Sequence, residues 1–201
     1  KVMKRRLTNT TFIRNGIEPV HARAVVTREE LNIPDDARVF LYAGVLNSRK
    51  NIVWLIENFV QHHNENEYLL VLGKGDKETE CKEKTDSHVQ MLGFQPDPVA
   101  YMKISDVYTS ASKSEGFSIS VLEALSCGLG LFLSDIPSHR EVVKMGQDVY
   151  LGETFAPDCF RVKLNALRKS EINKANIITF QEKELSAKKM TASYQKQYGV
   201  Q

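Results

Sequence analysis

No two cysteines of this 201-residue chain stand close enough in sequence to form a C-x-x-C pair, and Cys81, Cys127 and Cys159 are its only three. An odd, widely spaced set offers neither a disulfide framework nor the Cys/His spacing of a structural zinc site. Long apolar runs are missing as well. The two richest, residues 52–56 and 121–133, are broken by polar residues or glycine far short of the roughly 18 to 20 that a membrane span requires. Charge of one sign is also lacking: 27 Lys and Arg against 25 Asp and Glu leave a net charge of only +2. That is too even for the basic field on which non-specific nucleic-acid binding depends, so nucleic acid is not an expected partner. No charged-then-apolar signal opens the chain, which begins at Lys1 without Met and reads as a fragment. The expected compartment is the cytoplasm, subject to whatever precedes Lys1.

What is present suits one domain with an appendage. Hydrophobic residues make up 42% and charged residues 26%, enough to bury a core. A short β-prone run at residues 11–14 ends in the turn pair Asn15-Gly16. Residues 38–43 (RVFLYA) then form a continuous apolar strand, followed by Gly44, a polar loop, and Ile52, Ile56, Phe59 and Val60 on one helical face. The unit recurs at residues 68–72, 88–92, 107–109, 130–133 and 149–151, each strand separated from the next by a helix-length segment. Unbroken apolar strands imply burial on both faces, and helical crossovers imply a parallel sheet with right-handed connections. The expected fold is α/β, a Rossmann-like doubly wound parallel sheet over residues 1–180, with a C-terminal amphipathic helix over 181–201.

Open parallel sheets bind ligands beyond the carboxyl ends of their strands. Two strand-to-helix loops there carry chemistry: residues 44–51 (GVLNSRKN) and 111–118 (ASKSEGFS). Glu115 precedes Gly116, and Glu123 follows after seven intervening residues inside the next helix. Gly116 admits backbone geometry closed to other residues, and free amides from about Phe117 to Ser120 at a helix N-terminus suit phosphate. The plainer reading is that Ser114 or Ser118 caps the helix and the glutamates favour its positive end.

The spacing E-G-F-S-I-S-V-L-E-A-L-S-C-G, followed by L-F-L-S-D-I-P-S-H-R-E-V-V, resembles the signature of the retaining glycosyltransferases of family 4, nucleotide-sugar enzymes of GT-B fold. The resemblance extends to Asn15-Gly16 with Ile17, Lys50-Asn51, Gly73-Lys74-Gly75, Leu92-Gly93 and Ser105-Asp106-Val107, and so covers most of residues 13–152. It implies that the chain is the C-terminal, donor-binding half of such an enzyme. The catalytic residues it implies are Glu115, touching hydroxyls of the transferred sugar, and Lys50, neutralising the leaving diphosphate. Glu123 would grip the ribose hydroxyls, and the amides near Gly116, Phe117, Ser118 and Ile119 would face the diphosphate. Gly44 and Arg49 complete the donor site, and the base would pack near Leu92 and Gly93. A carboxylate only accepts hydrogen bonds and so matches a vicinal diol that donates two. The resemblance further implies no resident metal or cofactor, a UDP-sugar as donor, and a glycan or lipid-linked acceptor held by an N-terminal domain outside this chain. Peripheral membrane association of the full-length protein is left open.

There are departures from that pattern. Val45 stands where an arginine is usual, with Arg49 as a neighbouring substitute; Ser118-Ile119-Ser120 replaces Gly-Leu-Pro, and Gly130 replaces a common proline. Two other readings therefore stay open: a non-catalytic domain that stabilises a partner subunit, and a nucleotide-sugar hydrolase or epimerase on the same scaffold. Gly73-Lys74-Gly75-Asp76 lacks the full pattern of a P-loop or dinucleotide fingerprint and reads as a turn lining the pocket. His62-His63 reads as a helix C-terminal dipole partner rather than a metal site. His139 reads as a structural residue starting a helix near the cleft, and Trp54 as core or helix flank.

Overall fold

The computed structural model describes residues 11–146 and 149–199. Six parallel strands form one sheet: β1 (Arg38–Ala43), β2 (Glu67–Leu72), β3 (Val89–Gly93), β4 (Val107–Ser110), β5 (Gly130–Ser134) and β6 (Gly152–Phe155), in the spatial order β3-β2-β1-β4-β5-β6. This is the doubly wound Rossmann-like order, in which the direction of winding reverses between β1 and β4. Side chains alternate across the pleat, so each strand feeds two cores. Val39, Leu41, Leu70, Leu72, Tyr108, Leu131 and Leu133 point to one face. There they meet α4 (Ile119–Ser126) and α7 (Lys174–Glu184). Phe40, Tyr42, Leu69, Val71, Val107 and Phe132 point to the other, under α1 (Ile52–His62) and α6 (Phe160–Lys169). Both faces are covered, which is why the strands read as unbroken apolar runs.

The central strand pair is fixed at its amino end by Asp106. Its carboxylate accepts from the Val39 amide (3.0 Å) and from Arg28 Nη2 (2.9 Å), while its own amide donates to the Val39 carbonyl (2.9 Å). The Ser105-Asp106-Val107 segment is thus a clamp at the base of β1 and β4. In the second core, Trp54 stacks on Phe155 at 5.9 Å, and Phe132 packs 4.5 Å from Phe155 and 5.1 Å from Phe160.

Three sequence expectations are corrected. The last strand is not residues 149–151 but Gly152–Phe155. Leu151 is buried as a core plug, its carbonyl accepting from the Leu131 amide at 2.7 Å, and the ladder proper begins one residue later. An edge strand has a single neighbour, so the polar Glu153 and Thr154 are tolerated and the apolar signal moves to the preceding loop. Residues 11–14 form no strand. The backbone contact lies instead at Ile17, whose amide donates to Leu185 O and whose carbonyl accepts from Ala187 N, both at 3.1 Å. Gly16 is required there, because a Cβ would sit 2.2 Å from the Ser186 carbonyl oxygen.

The C-terminal segment is two helices rather than one. Asn173 caps α7 by accepting from the Asn176 amide, and α7 runs through residue 180 into the body of the domain, burying Ile177 and Phe180. Leu185 breaks it as a buried anchor, and Ser186 caps α8 (Ala187–Tyr198). α8 buries no residue, and Tyr194 stacks on Tyr198 along its exposed side. Among the described residues no helix is long and apolar enough to cross a membrane. The remaining helices are α2 (Glu78–Lys82), α3 (Pro98–Lys103) and α5 (Pro137–Met145).

Phe132 makes ring contacts in the second core that no smaller side chain can replace. Phe132→Ala is expected to lower unfolding free energy by about 3 to 5 kcal/mol. Urea unfolding at unchanged slope is the check.

Candidate active site at the switch point

The reversal between β1 and β4 splays the two following loops apart and opens a crevice at the carboxyl edge. Both loops that the sequence singles out start there. Residues 44–51 leave β1, and residues 111–118 leave β4 and enter α4. They are stitched together by Lys113 N donating to Arg49 O (2.9 Å) and by Arg49 Nη1 donating to Ser114 O (3.0 Å). The first loop is also pinned to the loop after β2. Leu46 is fully buried, its amide donates to Lys74 O and its carbonyl accepts from Lys77 N. Gly73 and Gly75 permit this approach: a Cβ on Gly73 would lie 1.8 Å from Gly44 O, and one on Gly75 would lie 2.1 Å from Leu46 O. The Gly-Lys-Gly run is thus a backbone-to-backbone contact, and Gly73 and Lys74 do line the adjoining pocket.

Lys50 and Glu115 meet across the crevice. Lys50 Nζ donates to Glu115 Oε1 at 2.6 Å, and Arg49 Nη1 lies 3.4 Å from Oε2. The pair is mostly out of solvent, with side-chain exposures of 18% and 11%. Burial pushes the Glu115 carboxyl upward, but hydrogen bonds from Lys50 and Ser112 and the nearby positive charges outweigh it and hold it below its ordinary value. Glu115 is therefore ionised and acceptor-only at neutral pH. Lys50 itself is set by the loop, its amide donating to Asn47 Oδ1 at 2.9 Å, and Asn51 turns the chain into α1 with φ of +54°.

Glu123 stands in the second turn of α4 without such support. Burial alone raises its pKa, with no hydrogen bond or cation among the described residues to offset it. Tyr108 feels the charge of both carboxylates and donates its phenol proton to Ala43 O at 3.1 Å. The N-terminus of α4 is open: Ser118 is the cap position but makes no side-chain cap bond. The plainer capping role for Ser118 does not hold. The first amides of the helix have no intrahelical acceptor and are free to meet an anion.

A pocket of about 310 Å³ lies beside this arrangement at the ends of β1, β2 and β3. Its walls include Gly44, Val45, Gly73, Lys74, Phe94, Gln95 and Ser120. Glu115, Lys50 and Glu123 are not in the wall. Leu92 and Gly93, expected near a base, are also absent from it; the next two residues, Phe94 and Gln95, supply that side. Gly93 instead turns the chain at φ +68°, and Gln95 Nε2 donates to Leu92 O. Phe94 is 66% exposed and Val45 54% exposed, so the pocket has apolar rims.

Sequence reasoning missed a polar relay behind Glu115. Ser112 is buried and bonded to Ser110 Oγ at 3.0 Å, and its carbonyl accepts from Ser134 Oγ at 2.6 Å. His139, itself buried, places Nδ1 2.9 Å from Ser134 O and 3.2 Å from Ser134 Oγ. Its Nε2 has no partner, and burial lowers its pKa, so the ring is neutral at neutral pH. His139 does start a helix near the cleft, and it also ties β5 to the loop of Glu115. The only signal in the sequence was the position of Ser112 and Ser134 just past two strand ends.

The fold and these groups define a class: a Rossmann-like α/β domain with two cations, an uncapped helix N-terminus and two carboxylates near its switch point. The family model described as "Glycosyl transferases group 1" matches residues 26–184, and the chain belongs to that family. It is 31% identical over 120 residues to the O-antigen biosynthesis glycosyltransferase WclY of Escherichia coli, a match covering 57% of this chain and 33% of that protein. It is 27% identical over 172 residues to an Escherichia coli UDP-Gal:alpha-D-GlcNAc-diphosphoundecaprenol alpha-1,3-galactosyltransferase, covering 78% and 44% respectively. The chain thus spans a third to a half of the length of these relatives. Among solved structures, WaaG, a glycosyltransferase involved in lipopolysaccharide biosynthesis, superposes with TM-score 0.72 at 18% identity, over 91% of this chain and 55% of that one. That likeness carries the fold.

Two stability measurements probe the carboxylates, with opposite signs. Glu115 has a lowered folded pKa, so its contribution is present above the ordinary carboxylate value and is lost as pH falls through the depressed one. Lys50→Met leaves that carboxylate buried without its main partner; unfolding free energy at pH 7 is expected to drop by about 1 to 3 kcal/mol. The Glu115 pKa should then move up, readable by carboxylate NMR. Glu123 has a raised folded pKa, so its contribution is present at low pH and lost as pH rises through that raised value. Glu123→Gln is accordingly expected to unfold at higher urea than the natural chain at pH 7, with the gap closing under acid.

Proposed function

We propose that this chain is the C-terminal, donor-binding domain of a retaining glycosyltransferase of family 4, acting on a nucleoside-diphosphate sugar. The observation that carries the reading is the Lys50–Glu115 ion pair across the switch point, set beside an uncapped α4 N-terminus. In this reading Lys50, Arg49 and the amides of Ile119 and Ser120 take the charge that builds on the diphosphate as the sugar departs. Glu115, kept ionised by its surroundings, accepts from sugar hydroxyls. Glu123 accepts from the ribose diol, and a carboxylate with no internal partner gains most from two incoming donors. The base enters the pocket rimmed by Phe94 and Val45. A uridine nucleotide is the first candidate, in keeping with the UDP-galactose enzyme among the relatives. The acceptor, a glycan or lipid-linked saccharide, is assigned to a domain outside this chain, so the isolated chain binds donor and transfers nothing.

Val45 favours one competing reading, because the position lies on the pocket rim and carries no charge. A non-catalytic domain that stabilises a partner would bind no donor. Titration calorimetry of this chain against UDP, GDP and ADP separates the two. Binding of one diphosphate is expected, weakened by Lys50→Ala and weakened by about 1 to 3 kcal/mol by Glu123→Ala. Absence of binding for all three would put the partner-stabilising reading first. Release of free sugar from donor alone by the full-length protein would instead indicate a hydrolase.

A further inference from the structure

At the opposite edge of the sheet, away from the switch point, three metal-ligating side chains converge. His63 follows the last turn of α1, while Asp86 and His88 lie between α2 and β3. One ligand atom from each lies within 4.8 Å of the other two. His63 Nε2 is 2.8 Å from Asp86 Oδ2, and the two imidazole rings are 4.2 Å apart between centroids. His63 does stand at the C-cap of α1, as the sequence reading has it. Its contact with Asp86, 23 residues away, was not legible because only the adjacency of β2 and β3 closes that gap.

The hydrogen bonds around the rings make this a prepared site rather than a chance cluster. His63 Nδ1 is 2.9 Å from the Asn64 carbonyl, and His88 Nε2 is 3.1 Å from the Glu65 carbonyl. A carbonyl only accepts, so these contacts favour the tautomer with a proton on that nitrogen and a lone pair on the other. This is the pattern of ligating histidines, whose second nitrogen is held by a backbone carbonyl that fixes tautomer and orientation. At His63 the other nitrogen, Nε2, faces an Asp86 carboxylate oxygen at 2.8 Å, an arrangement that a cation shared between the two would satisfy. At His88 the other nitrogen, Nδ1, lies 3.3 Å from the Ser87 hydroxyl, which a metal ion would displace.

We propose that His63, Asp86 and His88 form a binding site for a divalent zinc-like ion, with His63 Nε2, an Asp86 oxygen and His88 Nδ1 as ligands and water completing the shell. Two imidazoles and a carboxylate suit zinc, cobalt or nickel, whereas magnesium and calcium prefer oxygen alone. Small side-chain rotations bring the three atoms to the roughly 2.0 to 2.2 Å of zinc bonds. The half-buried ligands leave a coordination position open to solvent. The ion would tie the end of α1 to the segment entering β3, far from the crevice, so it acts on stability and takes no part in sugar chemistry.

The test is calorimetric titration of the chelator-treated chain with zinc chloride, alongside thermal unfolding with and without zinc. Expected are one saturable site, a higher unfolding temperature with zinc, and at least about tenfold weaker binding in each of His63→Gln, Asp86→Asn and His88→Gln. Imidazole nitrogen NMR of the unsubstituted chain gives a second readout that needs no variant. Zinc should move His63 Nε2 and His88 Nδ1 while leaving the carbonyl-bonded nitrogens protonated. No saturable binding, binding that survives all three substitutions, or zinc shifts confined to other histidines or to the cysteines would overturn the proposal.

Discussion

Everything at the candidate site depends on β1 having β2 on one side and β4 on the other. Crossovers from β1 run one way and those from β4 the other, which opens a crevice at the carboxyl edge that the two following loops bridge only through a few bonds such as Lys113 N to Arg49 O and Arg49 to Ser114 O. The space between them brings a loop cation and the N-terminus of α4 together at the carboxyl edge of a buried sheet. Asp106 fixes the strands at one end, and the Lys113–Arg49 backbone bond fixes the loops at the other. A crevice held at both ends can keep charged groups at hydrogen-bond distance before any ligand arrives, which is what electrostatic stabilisation of a departing group requires.

The charges in this crevice are unevenly satisfied. Glu115 has Lys50, Ser112 and the nearby Arg49, and its carboxyl is held low; Glu123, eight positions on, has burial and nothing to offset it. His139 keeps a buried Nε2 without a partner. A domain selected for stability alone would pair or replace such groups, since unpartnered buried polar atoms cost free energy. Their concentration around one strand junction sets this edge apart from exposed surface pairs such as Lys84–Glu57, which contribute little, while the buried Arg168–Glu67 pair elsewhere is fully partnered.

The sheet was legible in the sequence because its strands are buried on both faces and therefore read as apolar blocks. Where that condition fails, the reading fails too: β6 is an edge strand, and the apolar signal belonged to Leu151 in the loop before it. The tail was misread for a related reason. Leu185 looks like one apolar position on a helix, yet its burial, with the Ser186 cap and the Ile17 backbone bonds, ends one helix and starts another. Glu115 and Lys50 stood out in the sequence because a motif carries them, and the loops they occupy bring them together. The Ser112–Ser134–His139 relay and the His63–Asp86–His88 cluster were invisible, since each joins segments that only the parallel pairing of strands brings together.

Val45 and Arg49 divide the first loop into an apolar rim and a charged junction. Position 45 lies at the mouth of the loop, where an arginine would project over the pocket that Phe94 and Gln95 help to line. Arg49 sits four residues on, one turn before α1, and its guanidinium is already engaged by Ser114 O and Glu115. In this chain the cation nearest Glu115 after Lys50 is thus fixed at the junction of the two loops through a carbonyl and a carboxylate. The rim itself is apolar. On the proposed reading, diphosphate attraction is then concentrated at the strand junction, and discrimination among bases falls to the shape of the Phe94 and Val45 walls rather than to charge.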